Sequence, residues 1–214
     1  MNRKEYFTNI YNTSYWGGKK SKSGKGSDLE QTITLREELK KLINKLNIKI
    51  LIDCASGDFL WMSQIINHLN ITQYIGLDIV SEMIEQLNLK YSNSIIQFKQ
   101  CDIVEDFLPK GDLILCRDCL VHLSYKEIKS FLNNFIKSNT PYLLTTTFTK
   151  ERNYNEAGIG KDHWSPLILW KPPLCLPKPL ELINENCTQE NNSFNDKSLG
   201  LWSRQQIMET ICGT

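Results

Sequence analysis

The sequence predicts an α/β protein with a Rossmann-like, doubly wound, mostly parallel sheet: seven strands, an antiparallel hairpin at one edge, and helices on both faces. Three observations predict it. Apolar runs of strand length alternate with segments of helical periodicity through residues 27–148. Three of those runs end in aspartate, at Asp53, Asp78 and Asp102, so each would aim a carboxylate at the same edge of the sheet. After residue 148 the alternation gives way to a proline-rich tract and then to two strand-like segments separated by a polar stretch.

Residues 1–28 read as an N-terminal arm or lid, and 29–214 as a single domain. Within the arm, 12–28 (NTSYWGGKKSKSGKGSD) is rich in Gly, Ser and Lys, as exposed loops are. Its Gly-Lys-Gly-Ser is not a P-loop, because the spacing of glycine, four residues, then Gly-Lys-Ser/Thr is not met. Tyr15 and Trp16 favour a lid over a plain leader. Ser27 and Glu30 form a capping-box pattern, followed by Leu35, Leu39, Leu42, Ile43 and Leu46 at helical spacing, ending near Asn47. Residues 49–53, 74–78, 95–102, 112–116 and 142–148 read as strands, and 59–69 and 81–91 as helices. Ser124 and Glu127 form a second capping box before Ile128, Phe131, Leu132, Phe135 and Ile136. Residues 149–179 carry Pro166, Pro172, Pro173, Pro177 and Pro179, which exclude a regular helix or central strand. They read as an insertion at an acceptor site, and 180–203 as the edge hairpin.

Composition bounds the function. Hydrophobic residues make up 41% and charged residues 23% of the 214 residues, as in ordinary globular domains. A net charge of +1 argues against a general nucleic-acid partner. The N-terminus lacks a secretory apolar core, and no apolar run is long enough to cross a bilayer, so neither export nor membrane insertion is expected. The odd number of cysteines, 7, fits a reducing cytoplasm. Cys116-Arg117-Asp118-Cys119 is an isolated CxxC with no second pair at zinc-site spacing, so no metal is expected. Oligomeric state stays open between a monomer and a homodimer.

Ligands of open α/β sheets bind beyond the carboxyl ends of the strands. Asp78 follows the first turn at the distance where a carboxylate takes ribose hydroxyls. Asp102, one strand further out, would accept from an exocyclic amine of a base, and Asp53 would orient the turn or meet an ammonium group through water. The turn itself, Cys54-Ala55-Ser56-Gly57-Asp58-Phe59, has one glycine. A pyrophosphate needs several close backbone amides, and Phe59 would crowd it. The pattern points to an adenosine with a polar, phosphate-free tail.

These residues resemble the class I S-adenosylmethionine-dependent methyltransferases. LIDCASGDF is similar to their first motif, Leu-Asp-x-Gly-x-Gly-x-Gly; YIGLDIV to the acidic ribose motif; CDI to the adenine motif; and DLILCRDCLVHLS to the fourth motif. A narrower branch, often found with sugar and polysaccharide genes, resembles almost the whole chain. The matching residues are Trp16-Gly17-Gly18, Ser23-Gly24-Lys25-Gly26-Ser27, Gly57-Asp58-Phe59, Trp61-Met62, 116–124 and 197–202. Ala55 and Phe59 depart from the first and third motif glycines, and Ser56 stands where the branch tends to have Cys.

The resemblance implies S-adenosylmethionine as cofactor, with S-adenosylhomocysteine as product. It places the cofactor on Trp16, Ser27, Asp53, Ala55, Gly57, Phe59, Trp61, Asp78, Ile79, Asp102, Ile103 and Cys116. It implies a small-molecule or glycan acceptor, such as a nucleotide sugar, methylated on a hydroxyl. Arg117, Asp118 and His122 follow the fourth strand, which ends beside the transferred methyl, and Asp118 or His122 is the expected base. His163 and Trp164 are the expected acceptor contacts. The competing readings are methylation of a nitrogen or carboxylate on a protein or metabolite, a non-catalytic binding module, and a nicotinamide oxidoreductase disfavoured by the turn.

Overall fold

A computed structural model describes residues 1–159 and 164–212 of the chain. The sheet has seven strands: β1 (Ile50–Cys54), β2 (Gln73–Asp78), β3 (Ile96–Gln100), β4 (Leu113–Cys116), β5 (Tyr142–Thr147), β6 (Glu181–Asn184) and β7 (Ser198–Ser203). Their order is β3-β2-β1-β4-β5-β7-β6. The first five run parallel to one another, and β7 runs antiparallel to both β5 and β6. The expected fold class, including the antiparallel edge, is therefore the observed one. The order reverses at β1, where β2 lies on one side and β4 on the other, which creates the crevice at the topological switch point.

Alternation along β1 builds both cores. Leu51 packs into one layer with Leu35, Leu39, Leu42 and Ile43 of α2 (Ile33–Lys45) and Met83, Ile84 and Leu87 of α3 (Ser81–Tyr91). Ile52 packs into the other with Ile128, Phe131, Leu132 and Phe135 of α4 (Tyr125–Ser138) and Ile207 of α5 (Arg204–Cys212). Each such fully buried side chain contributes about 1.5–3 kcal/mol of apolar burial. Ser124 and Glu127 form the expected capping box at the start of α4. The proline-rich tract packs against this second layer through Leu167, Leu169, Leu174 and Leu176 without regular structure, as its prolines require.

Two expectations are corrected, and one helix was not expected. Residues 59–69 form no α-helix, only 3₁₀ turns at Met62–Gln64 and Ile66–His68. Phe59 starts the segment at φ 61°, so the chain does not enter a helix there. Its apolar positions at helical spacing are instead sunk into the core. Ser27 and Glu30 are not a capping box: Ser27 lies in a 3₁₀ turn (Lys25–Ser27), and α2 begins after Thr32. Arg36 donates to the carbonyls of Leu29 and Thr32, which ties this segment in a turn. Finally, the arm opens with a helix, α1 (Arg3–Thr13), closed at its start by a reciprocal Asn2–Glu5 capping box.

Candidate functional site

Strands β1 to β4 end along one edge of the sheet, where their loops and the N-terminal arm enclose a cleft of about 1020 Å³, its mouth included. Trp16, Ser27, Asp53, Ala55, Gly57, Trp61, Asp78, Ile79, Asp102 and Ile103 line it, as do Arg117, Asp118 and His122. Phe59 and Cys116 do not. The Phe59 ring is buried against Tyr74, Tyr91 and Phe98, and Cys116 is enclosed within β4 and its neighbours. Trp164 packs edge-on against Phe148, Tyr154 and Phe194, lining a separate shallow depression. His163 lies outside the described residues.

The loop after β1 keeps a glycine-like backbone with a single glycine. Ala55, Gly57 and Phe59 all take left-handed angles, at φ 60°, 58° and 61°. For the two non-glycines this costs roughly 1–2 kcal/mol each, and the surroundings hold it in place. Four amides of the loop and its exit, at residues 56, 57, 58 and 60, are spent within the protein. Ser56 N–H donates to Leu77 O at 2.9 Å, Gly57 N–H to Asp78 Oδ2 at 3.0 Å, and Asp58 N–H to Ser23 Oγ at 2.8 Å. Leu60 N–H donates to Asp58 Oδ1 at 3.2 Å.

The arm folds onto this loop. The Asp58 carboxylate accepts from Ser21 Oγ at 2.9 Å and from Lys22 N–H at 2.7 Å. Asp28 gathers the N–H groups of Lys19, Lys20 and Ser21 at 2.8, 3.0 and 3.1 Å, fixing the arm's turn. Phe7, Ile10 and Tyr11 of α1 line the cleft, and Arg3 reaches across to Asp102 with its Nε at 3.1 and 3.0 Å from the two carboxylate oxygens. Sequence reading missed all four. The Asn2–Glu5 pair could have announced the helix; nothing local announces a contact between residues 3 and 102.

Beyond β4, Asp118 sits in a left-handed backbone (φ 52°), with its N–H donating to Thr146 Oγ1 at 2.8 Å. Its carboxylate pairs with Lys197 and lies 3.2 Å from Arg117 Nη1. Arg117 in turn holds Glu185 through Nη2 at 2.7 Å and donates from Nη2 to Gly26 O at 2.8 Å. Two cations and two anions thus interlock the arm, the β4 loop and the edge hairpin, and Glu185 and Lys197 were not foreseen as part of it. His122 lies in a 3₁₀ turn (Leu120–His122), not an α-helix, and stacks on Trp16 with ring centroids 4.3 Å apart.

Electrostatics separate the carboxylates. Burial pushes Asp53 up to about 7; the Tyr74 hydroxyl, donating to it at 2.7 Å, only partly offsets this. Burial also raises Asp78 to about 6, against the N–H groups of Val80 and Gly57. For Asp118 burial acts in the same direction, but the Arg117 and Lys197 cations outweigh it and hold the carboxyl at about 2. Two buried hydroxyls, Thr8 Oγ1 and Ser56 Oγ, have no hydrogen-bond partner among the described residues; both atoms are closed off from the surface, so Ser56 meets the cleft with its other atoms. Also among the described residues, no His, Cys, Asp and Glu cluster is arranged to hold a metal ion, and no helix is long and apolar enough to cross a membrane.

No family model matches the chain, and a search of curated proteins returns no match. Solved structures match it in fold. The methyltransferase domain of bacterial CtHen1-C superposes with a TM-score of 0.61 at 15% identity, over 82% of this chain and 98% of that one. Magnesium protoporphyrin IX methyltransferase (ChlM) from Synechocystis PCC 6803, with bound SAH, does so with a TM-score of 0.50 at 17% identity, over 69% and 71%. The DhpI–SAH complex gives a TM-score of 0.50 at 15% identity, over 69% and 68%. What this chain shares with all three is the Rossmann-like fold.

Proposed function

We propose that this chain is an S-adenosylmethionine-dependent methyltransferase, acting on a hydroxyl of a sugar, nucleotide sugar or other glycan. The observation that carries the cofactor reading is the loop after β1. Its amides at residues 56, 57, 58 and 60 are consumed internally, and no α-helix follows to offer its N-terminus. A pyrophosphate cofactor depends on both. A nucleoside without phosphate does not.

The residues present fit such a nucleoside. A carboxylate offers about four acceptor positions; on Asp78 the Gly57 and Val80 amides take two, leaving capacity for ribose hydroxyls. Ile79, Met83 and Ile103 supply apolar walls for a flat base. Two solved structures of the same fold, the DhpI–SAH complex and ChlM with bound SAH, support this reading. When bound, S-adenosylmethionine supplies a methyl group already activated on a sulfonium.

The chain then has to align the acceptor, exclude water and take a proton. Asp118, held at about 2, stays ionised and is a weak base; its carboxylate suits anchoring a donor group of the acceptor. His122, on the same cleft wall and held in place by Trp16, is the residue we assign to accept the hydroxyl proton. Trp16 and Trp61 offer flat faces of the kind that pack on sugar C–H patches. His163 and Trp164 fall outside this assignment.

Incubation with methyl-labelled S-adenosylmethionine and a panel of nucleotide sugars, free sugars, amines and peptides tests the reading. Label on a sugar hydroxyl is the expected result. Label confined to amines or carboxyl groups would replace the acceptor but keep the cofactor, and failure to bind the cofactor would overturn both.

A further inference from the structure

Arg3 is the most connected side chain of the arm. Its Nε donates to both oxygens of Asp102, its Nη2 to Glu105 at 2.9 Å, and its Nη1 to Glu127. These carboxylates belong to two other elements: the loop after β3 and the first turn of α4. Glu127 is itself fixed, accepting from Ser124 N–H and Oγ at 2.8 and 2.7 Å. A planar guanidinium that meets several carboxylates in fixed geometry is a directional clamp, which a lysine ammonium cannot reproduce.

Apart from this clamp, α1 is tied to the sheet's helices by a side-chain hydrogen bond from the Tyr11 hydroxyl to Gln86 Oε1 at 3.1 Å and by a small apolar face. Ile10 is the one wholly buried residue of α1, with Phe7 and Tyr11 packing more loosely. Yet α1 forms a wall of the cleft along its length, from Arg3 beside Asp102 to Trp16, just past its end, on His122. Helices with few buried contacts open locally at low free energy. Removing the one multivalent anchor of such a helix should therefore open the cleft without unfolding the sheet.

We propose that Arg3 is a latch: a positioning residue that closes α1 over the nucleoside end of the cleft and sets how fast a bound nucleoside leaves. Where it names the ligand, the inference rests on the functional reading above; the latch itself does not. Its contacts are charge-assisted and partly solvent-facing, Glu105 being largely exposed, so salt should weaken them.

Two measurements on the full-length chain separate the two claims. The first is hydrogen–deuterium exchange of ligand-free protein. Arg3→Ala should speed exchange across residues 3–13 on the order of tenfold and leave β1 and β4 unchanged. Arg3→Lys should fall between the variant and the parent, and high salt should speed the parent toward the variant. Unchanged exchange in Arg3→Ala overturns the latch whatever the ligand. Accelerated exchange throughout the sheet also overturns it, because Arg3 would then be a general stabiliser. The second is dissociation of S-adenosylhomocysteine, followed by tryptophan fluorescence after dilution into competitor. The latch predicts release on the order of tenfold faster in Arg3→Ala, with an intermediate rate for Arg3→Lys. Equal release rates overturn the latch. If the exchange result holds but the parent binds no S-adenosylhomocysteine, the latch stands and the ligand assignment falls.

Discussion

Substituting Gly57 by valine tests the cofactor loop without touching the sheet. Gly57 has φ 58°, and a Cβ there would overlap Ser23 Oγ and lie 3.0 Å from Ser23 Cβ. Valine must either abandon the left-handed backbone or push the arm away. Left-handed geometry costs an L-residue roughly 1–2 kcal/mol. Displacing Ser23 also breaks its bond to the Asp58 amide, about 1 kcal/mol. The sum, about 2–3 kcal/mol, is below the roughly 5–15 kcal/mol that holds an ordinary domain together. The chain should therefore remain folded, with a circular dichroism spectrum like the parent's and a lower melting temperature. Either the loop at Gly57 or the arm at Ser23 must shift, which deforms the cleft wall between them, and calorimetry should detect no binding of S-adenosylhomocysteine. Parental affinity in Gly57→Val would refute the placement of the cofactor beside this loop. A fully unfolded variant would refute the claim that the strain is local.

Four further outcomes follow from the same geometry. Asp78→Asn keeps the shape but turns one acceptor oxygen into a donor beside the Gly57 and Val80 amides; S-adenosylhomocysteine affinity should fall about 10- to 100-fold, and an unchanged affinity would remove Asp78 from the site. Glu185→Ala leaves the buried Arg117 without its main partner, and urea unfolding should show a loss of about 3–5 kcal/mol; a loss under about 1 kcal/mol would show that Asp118 and Gly26 suffice to hold it. His122→Asn should lower turnover on a hydroxyl acceptor by about 10²–10⁴-fold with little change in cofactor affinity, and equal turnover would exclude His122 as the base. Asp53 and Asp78, at about 7 and about 6, bind protons more tightly folded than unfolded, so the ligand-free protein should gain stability as pH falls from about 7 toward 4. Asp118, at about 2, acts in the opposite sense: its contribution is present above its ordinary value and is lost as pH falls toward 2. Melting temperatures measured across that range should rise and then fall, and a steady decline from neutral pH would contradict these assignments.

Strand positions were legible because each core strand is a short apolar run, and three of them have an aspartate at or just past their carboxyl end: Asp53 within β1, Asp78 at the end of β2 and Asp102 in the loop after β3, all lining the cleft. The place of Asp78 beside the cleft and the meagre loop after β1 were legible for the same reason: a strand end and its turn are contiguous in sequence. What escaped was either conformational or long-range. Phe59, Trp61, Met62, Ile65, Ile66 and Leu69 have helical spacing, but the left-handed Phe59 and complete burial turn the segment into 3₁₀ turns. Helix α1 has an Asn2–Glu5 signature but few buried positions, so its hydrophobic pattern is faint. The contacts of Arg3 with Asp102 and Glu127, and of Arg117 with Glu185, span 99, 124 and 68 residues, and no local pattern reports such pairs. Asp118 illustrates the consequence. Its place beside the fourth strand could be read, but the two cations that hold it at about 2, and so argue against it as a base, could be seen only in three dimensions.

The most direct test of the central claim is a calorimetric titration of the full-length protein with S-adenosylhomocysteine and, in parallel, with NAD. A loop whose amides at residues 56, 57, 58 and 60 are already committed, beside an aspartate with spare acceptor positions, should bind the phosphate-free nucleoside and give no heat with the dinucleotide. Binding of NAD with no binding of S-adenosylhomocysteine would contradict the account.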